Sequence, residues 1–217
     1  PDTASEIDSH GVESEWELAV DADVTLAVRH EVVAFGTDGS DAGVRLTMTV
    51  TNASASTQPV SIGQRWQLDY QIAGDDSPLF ATVQCAPQFS VSADLGLTEQ
   101  DVSASDMGDF FRISNDEYTP EFGVFTSSGA VSGFDATGSP DRLLYGQWPA
   151  LEFADWDHVS SGAAIDDSSV LYYFGADAAG AVELQPGQSA VRSIVIFSSA
   201  DQDSCGDFNP GDDDDTA

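Results

Sequence analysis

The sequence predicts an all-β protein, an antiparallel β-sandwich of the immunoglobulin-like or supersandwich kind with long loops and an acidic C-terminal tail. Three observations predict it. Apolar and polar residues alternate with period two, helical periodicity is scarce, and the alternating runs end in Gly-, Asn-, Asp- or Pro-rich turn chemistry.

Taken in chain order, the first run is Val24 to Phe35, with Val24, Leu26, Val28 and Val32 on one side. Val44 to Thr51 is the clearest: Val44, Leu46, Met48 and Val50 point one way, and Arg45, Thr47, Thr49 and Thr51 the other, as a half-wetted strand requires. Trp66 to Ile72 repeats the pattern. Later strands are expected at Phe110 to Ile113, Glu121 to Thr126, Leu143 to Gln147, Val170 to Gly175, Ala181 to Leu184 and Val191 to Ser198. Between the last two, Leu184-Gln185-Pro186-Gly187-Gln188 reads as a hairpin or turn, because Pro presets the first corner and Gly accepts positive φ at the second. Residues 90–109 and 150–169 are less regular and read as long loops, where function tends to sit.

Around a single domain over 13–200, residues 1–12 read as a polar leader or linker and 201–217 as a tail, ending in the run Asp212 to Asp215. The chain starts at Pro1, which suits removal of an export signal.

The 217 residues hold 38 acidic side chains against six arginines and no lysine, a formal charge of -32. A field of that sign repels nucleic acid and anionic membrane surfaces. Two accounts fit the charge: a salty habitat, where a Debye length of about 3 Å at 1 M screens the repulsion, or a GC-rich genome that seldom encodes lysine. No apolar stretch approaches the roughly 20 residues of a membrane span. Cys85 and Cys205 are the only thiols, and they read as one disulfide, hence as a mark of an oxidising, extracellular compartment. Closing so long a loop is worth on the order of 4 to 5 kcal/mol in the chain-entropy account.

No residue set specifies an enzyme. Gly-x-Ser-x-Gly and phosphate-cradling glycine motifs are absent. The nearest to acid–base chemistry is Glu152-Phe153-Ala154-Asp155-Trp156-Asp157-His158, in which Glu152, Asp155, Asp157 and His158 set carboxylates and an imidazole beside an indole. The competing reading is a loop whose Trp156 plugs the core while its acids face water. His30 falls on an alternating face and His10 in the leader. Trp66, Trp148 and Trp156 are candidates for a sugar-stacking platform, with core packing as the alternative. Asp69, Asp75 and Asp76 across one turn, and Asp155 with Asp157, are the best oxygen clusters for calcium, the one cofactor considered. Asn52-Ala53-Ser54 matches an N-glycosylation acceptor.

Several segments together resemble a poorly characterised group of bacterial and archaeal surface-protein domains. They are Val50-Thr51-Asn52, Arg65-Trp66-Gln67-Leu68-Asp69, Gly74-Asp75-Asp76, Pro78-Leu79-Phe80, Pro140 to Pro149, Asp167-Ser168-Ser169-Val170 and Leu184 to Ser189. The resemblance spans most of Val24 to Phe197 and implies a β-sandwich exported within a larger surface protein. Ile194 to Ser199 departs from that group's tyrosine-rich close. A fainter resemblance, in the Val-Thr-Asn turn, is to the supersandwich of sugar mutarotases, which use a histidine and a glutamate; it would assign those parts to His158 and Glu152.

The expectation is therefore a non-catalytic extracellular, cell-surface module that binds a glycan, a protein or a copy of itself. The alternatives are a carbohydrate-active, mutarotase-like sandwich enzyme and a subunit of an extracellular filament or coat.

Overall fold

The computed structural model describes residues 3–8, 11–35, 43–72, 74, 76–84, 90–108, 110–115, 118–125, 140–175 and 181–198. Cys85, Cys205, Asp75, His10 and the acidic tail lie outside them, and with them the expected disulfide.

The first half carries β1 (Thr3–Asp8), β2 (Gly11–Ala19), β3 (Thr25–Phe35), β4 (Gly43–Asn52), β5 (Val60–Ile62), β6 (Gln64–Asp69), β7 (Leu79–Gln84), β8 (Ser90–Asp94) and β9 (Gln100–Ser103). The second carries β10 (Phe110–Asn115), β11 (Tyr118–Phe125), β12 (Arg142–Gln147), a short helix α1 (Trp148–Glu152), β13 (Ser168–Phe174), β14 (Val182–Leu184) and β15 (Ser189–Ser198). One large sheet has the order β1-β2-β3-β4-β15-β11-β10-β7-β8, a smaller one β6-β13-β12-β9, and β14 pairs β5. The named strand pairs are antiparallel, as the all-β reading requires.

Alternation dictates the layers. From the large sheet, Phe80, Phe111, Ile113 and Ile194 face Trp66, Leu143, Tyr145, Val170 and Tyr172 of the small sheet in one core. The intervening residues of the small sheet point away from that core. There Leu144, Leu171 and Tyr173 meet Leu151 of α1 and Ala154 in a second apolar layer. Strand β13 is therefore buried along its whole length, which explains why Ser-Ser-Val-Leu-Tyr-Tyr-Phe reads as a continuous apolar run after its two serines.

Three expectations are corrected, and a fourth, the turn at Pro186-Gly187, is found and placed in the fold. Within the span read as a polar leader or linker, residues 3–8 and 11–12 are strand: β1 and β2 form a hairpin, Thr3 opposite Glu15 and Ala4 opposite Ser14, that extends the large sheet. Residues 90–109 are not one loop, since β8 and β9 pair β7 and β12. The Pro186-Gly187 turn is present, with Gly187 at φ +81 and Gln188 N–H donating to Gln185 O at 2.9 Å. It is a corner between layers, because β14 pairs β5 while β15 pairs β4. Finally, Asn52 is no glycan acceptor, being fully buried. Its Nδ2 donates to Leu184 O at 3.0 Å, its Oδ1 accepts from Ser54 N at 3.1 Å, and its backbone exchanges bonds with Gly187 and Gln188. That side chain ties the corner to β4.

Candidate functional site

The outer face of the small sheet is built from alternate positions: Arg65 on β6, Tyr173 on β13, Arg142 on β12 and Asp101 on β9, with Glu99 two residues before Asp101. Over it lies the segment that follows α1. Pro149 opens that helix, its fixed φ suiting a first turn, and Leu151 anchors it in the second apolar layer.

Loop 153–161 is then pinned by side chains from beneath. Arg65 Nη1 donates to Ala154 O. Arg142 Nη1 donates to Trp156 O at 3.0 Å and Nη2 to His158 O, while Nε and Nη2 hold Asp101 at 2.8 and 2.5 Å. The same guanidinium lies 5.0 Å over the Tyr173 ring. Glu99 Oε1 pairs His158 Nε2 at 2.8 Å. Its Oε2 accepts from Ser161 N at 2.7 Å and from Ser161 Oγ, and its backbone oxygen accepts from Ser160 Oγ at 2.7 Å. Burial alone would push the Glu99 carboxyl up; the bonds from Ser161 and His158 outweigh it and hold the group below the usual carboxylate range.

The pinned loop leaves large apolar groups in water: Phe153 is 77 %, Trp156 41 % and Val159 80 % exposed. The indole of Trp156 meets Tyr173 edge-on at 5.5 Å. Its far edge occupies the space above Gly63, where a Cβ would come within 2.8 Å of it.

The residues singled out for acid–base chemistry are not brought together. Glu152, Asp155 and Asp157 are exposed, and His158 turns inward to Glu99, a partner 59 positions away that the sequence did not suggest. The three tryptophans do not form one platform either. Trp66 sits in the main core at 5 % exposure, with the edge of His30 against it at 5.2 Å. Trp148 is half-buried at the start of α1, its indole bonded to Asp69. Trp156 alone of the three reaches solvent on the loop. The Asp69 carboxyl is raised by partial burial first, then by Asp167, with Asp76 adding to it against the Trp148 bond. Among the described residues no three His, Cys, Asp or Glu side chains are grouped to hold a metal ion.

On the far side of the large sheet is an open hollow of about 480 Å³ lined by Glu15, Glu17, Ala27, Arg29, Thr49 and Thr51. Arg29 Nε and Nη2 donate to Glu13 at 2.9 and 2.5 Å, with Glu31 at 3.1 Å and Glu15 at 3.8 Å. It is an ion-paired, solvated sheet face.

No family model matches the chain, and no curated protein does. Solved structures do. A galactose mutarotase related enzyme from Lactobacillus acidophilus superposes with a TM-score of 0.54 at 8 % identity, over 90 % of this chain and 70 % of that one. A galactose mutarotase-like protein from Lactobacillus casei gives 0.53 at 12 %, over 90 % and 72 %. At such identities the likeness is one of fold, and the chain is thus an antiparallel β-sandwich of galactose mutarotase-like architecture.

Proposed function

We propose that this chain is a non-catalytic binding module that takes up a saccharide on loop 153–161. The observation that carries the reading is the division of labour on that loop. The groups fit for proton transfer, Glu99 and His158, are spent on holding it, while Trp156 and Phe153 stand exposed between the carboxylates of Glu152, Asp155 and Asp157. An aromatic face stacks on the C–H face of a sugar ring, and flanking carboxylates accept from its hydroxyls. A loop fixed before the ligand arrives loses little entropy on binding. The sugar-related names of the proteins that share the fold agree with this ligand class. We place the module outside the cell, within a larger surface protein. Its charge of -32 supports a partner that is neutral or cationic.

Titration with galactose and lactose, followed by tryptophan fluorescence, tests the reading. Saturable quenching is expected, with Trp156→Ala weakening it by roughly tenfold, the scale of one stacking contact at a hot spot. Quenching that Trp156→Ala leaves unchanged would move the site elsewhere. The shared architecture favours one second reading, an enzyme acting on the anomeric centre, with His158 and Glu99 in the roles that the mutarotase resemblance implied for His158 and Glu152. Polarimetry separates the two, since a binding module leaves the rate of anomer interconversion at its uncatalysed value.

A further inference from the structure

We propose that Glu99 is the positioning residue of this loop, and that the loop holds Trp156 ready for a ligand only while the Glu99 carboxylate is ionised. The inference rests on the saccharide-binding reading and names the regulation of the same site.

Glu99 touches the loop at successive points. Its side chain accepts from His158 and Ser161, its backbone oxygen accepts from Ser160, and its N–H donates to Ala163 O at 2.7 Å. An ionised carboxylate is acceptor-only, which is what these donors need. A proton on Oε2 would face the Ser161 N–H, which can only donate, and that bond is lost; a proton on Oε1 keeps its bond only if the His158 ring turns from donor to acceptor. At 7 % exposure, water is poorly placed to replace a lost bond.

The surroundings define the window. From the loop, His158 faces the carboxylate. From β12, Arg142 reaches His158 O and is itself balanced by Asp101 of β9. Gly146 of β12 and Leu151 of α1 close the apolar side, where a Cβ on residue 146 would lie 3.1 Å from Glu99 Cγ. Glu152 of α1 is exposed. Arg65 and Arg142 keep their charge in acid, so residues 154–158 retain their backbone anchors, and the Glu99 main chain still holds Ser160 and Ala163, while His158 and Ser161 lose the carboxylate that fixes their side of the loop. Because hydrogen bonding holds the Glu99 carboxyl below its ordinary range, the latch is closed at neutral pH and opens only as pH falls below that ordinary carboxylate range.

The test compares the wild-type chain with Glu99→Gln, which keeps the size and one acceptor but cannot ionise. Two readouts are followed between about pH 3 and pH 7: lactose affinity, and amide exchange at Ser161 without sugar. In the wild type, affinity is expected to fall at least roughly fivefold across the acid limb while Ser161 exchange becomes faster than its intrinsic pH dependence predicts. In Glu99→Gln both should be flat, with affinity already reduced at neutral pH. His158→Gln, which keeps a donor toward Glu99, should retain the wild-type acid limb. A wild-type affinity without an acid limb, or a Glu99→Gln that keeps one, overturns the inference and leaves saccharide binding standing. If lactose does not bind at all, the functional reading fails, and Ser161 exchange alone decides whether the latch exists.

Discussion

The chain sets arginines among carboxylates on two outer faces, and the two faces are built differently. On the far side of the large sheet, Arg29 is met by Glu13, Glu15 and Glu31 across neighbouring strands, with its side chain 43 % exposed. On the outer face of the small sheet, Arg142 is 16 % exposed, stacks on Tyr173 and divides its donors between Asp101 and two loop carbonyls. The first arrangement trades water for carboxylates in a medium that screens both. The second fixes a loop that has no strand partner over most of its length. Equal residue types therefore carry unequal weight, and what decides is whether water can replace the bond that is lost.

The comparison breaks most readily at Arg142. Removing its side chain strands the Trp156 and His158 carbonyls and leaves Asp101 without its bidentate partner, so Arg142→Ala is expected to cost about 2 to 4 kcal/mol. Urea unfolding measures this as a lower midpoint at unchanged slope. A loss under about 1 kcal/mol would mean that the loop is held by Arg65, Glu99 and its apolar contacts without Arg142.

His30 sharpens the comparison because it neighbours Arg29 on β3 but points into the core, with Nε2 lacking a partner and its ring against Trp66. Burial lowers its pKa from 6.5. The unfolded chain thus binds the proton first, and the stability that rests on the neutral ring is full above that value and declines as pH falls below it. The slope is at most about 1.4 kcal/mol per pH unit. His30→Leu should remove this limb from the stability profile below about pH 6.5, while Arg29→Leu leaves it in place. Persistence of the limb in His30→Leu would assign it to another group.

How far these regions were legible in the sequence follows from the reach of each signal. Alternation is local, so Val24 to Phe35 and Val44 to Thr51 announced β3 and β4 to within one residue at each end. The same signal was present in Val12, Ser14, Trp16 and Leu18 against Glu13, Glu15 and Glu17, but a hairpin at the sheet edge leaves Val12 and Leu18 more than half exposed, and so it reads as polar. Asn52-Ala53-Ser54 misled because a three-residue pattern does not encode burial. Residues 152–158 were marked from their composition. Their true partners are Arg142 of β12, Arg65 of β6 and Glu99 just before β9, and period two gives the face on which a strand residue lies but not the loop that crosses it.

The smallest effect is expected on the exposed face. Replacing Arg29 by Gln keeps the aliphatic stem over the strand and removes the charge, in a ladder where Glu13, Glu15 and Glu31 remain close to water. The exposed pair is worth about 0.2 to 1 kcal/mol at low ionic strength. Added salt should shrink that difference, because at about 1 M the Debye length falls to about 3 Å, comparable to the ion-pair distances themselves. The loss on Arg142→Ala should survive the same salt, since neutral carbonyls and a guanidinium shielded by the loop are little affected by mobile ions. Denaturation of both variants in urea at low and high sodium chloride therefore tests the comparison as a whole. If Arg29→Gln costs as much in high salt as Arg142→Ala, the ladder is a structural element of the sheet, and the distinction between the two faces fails.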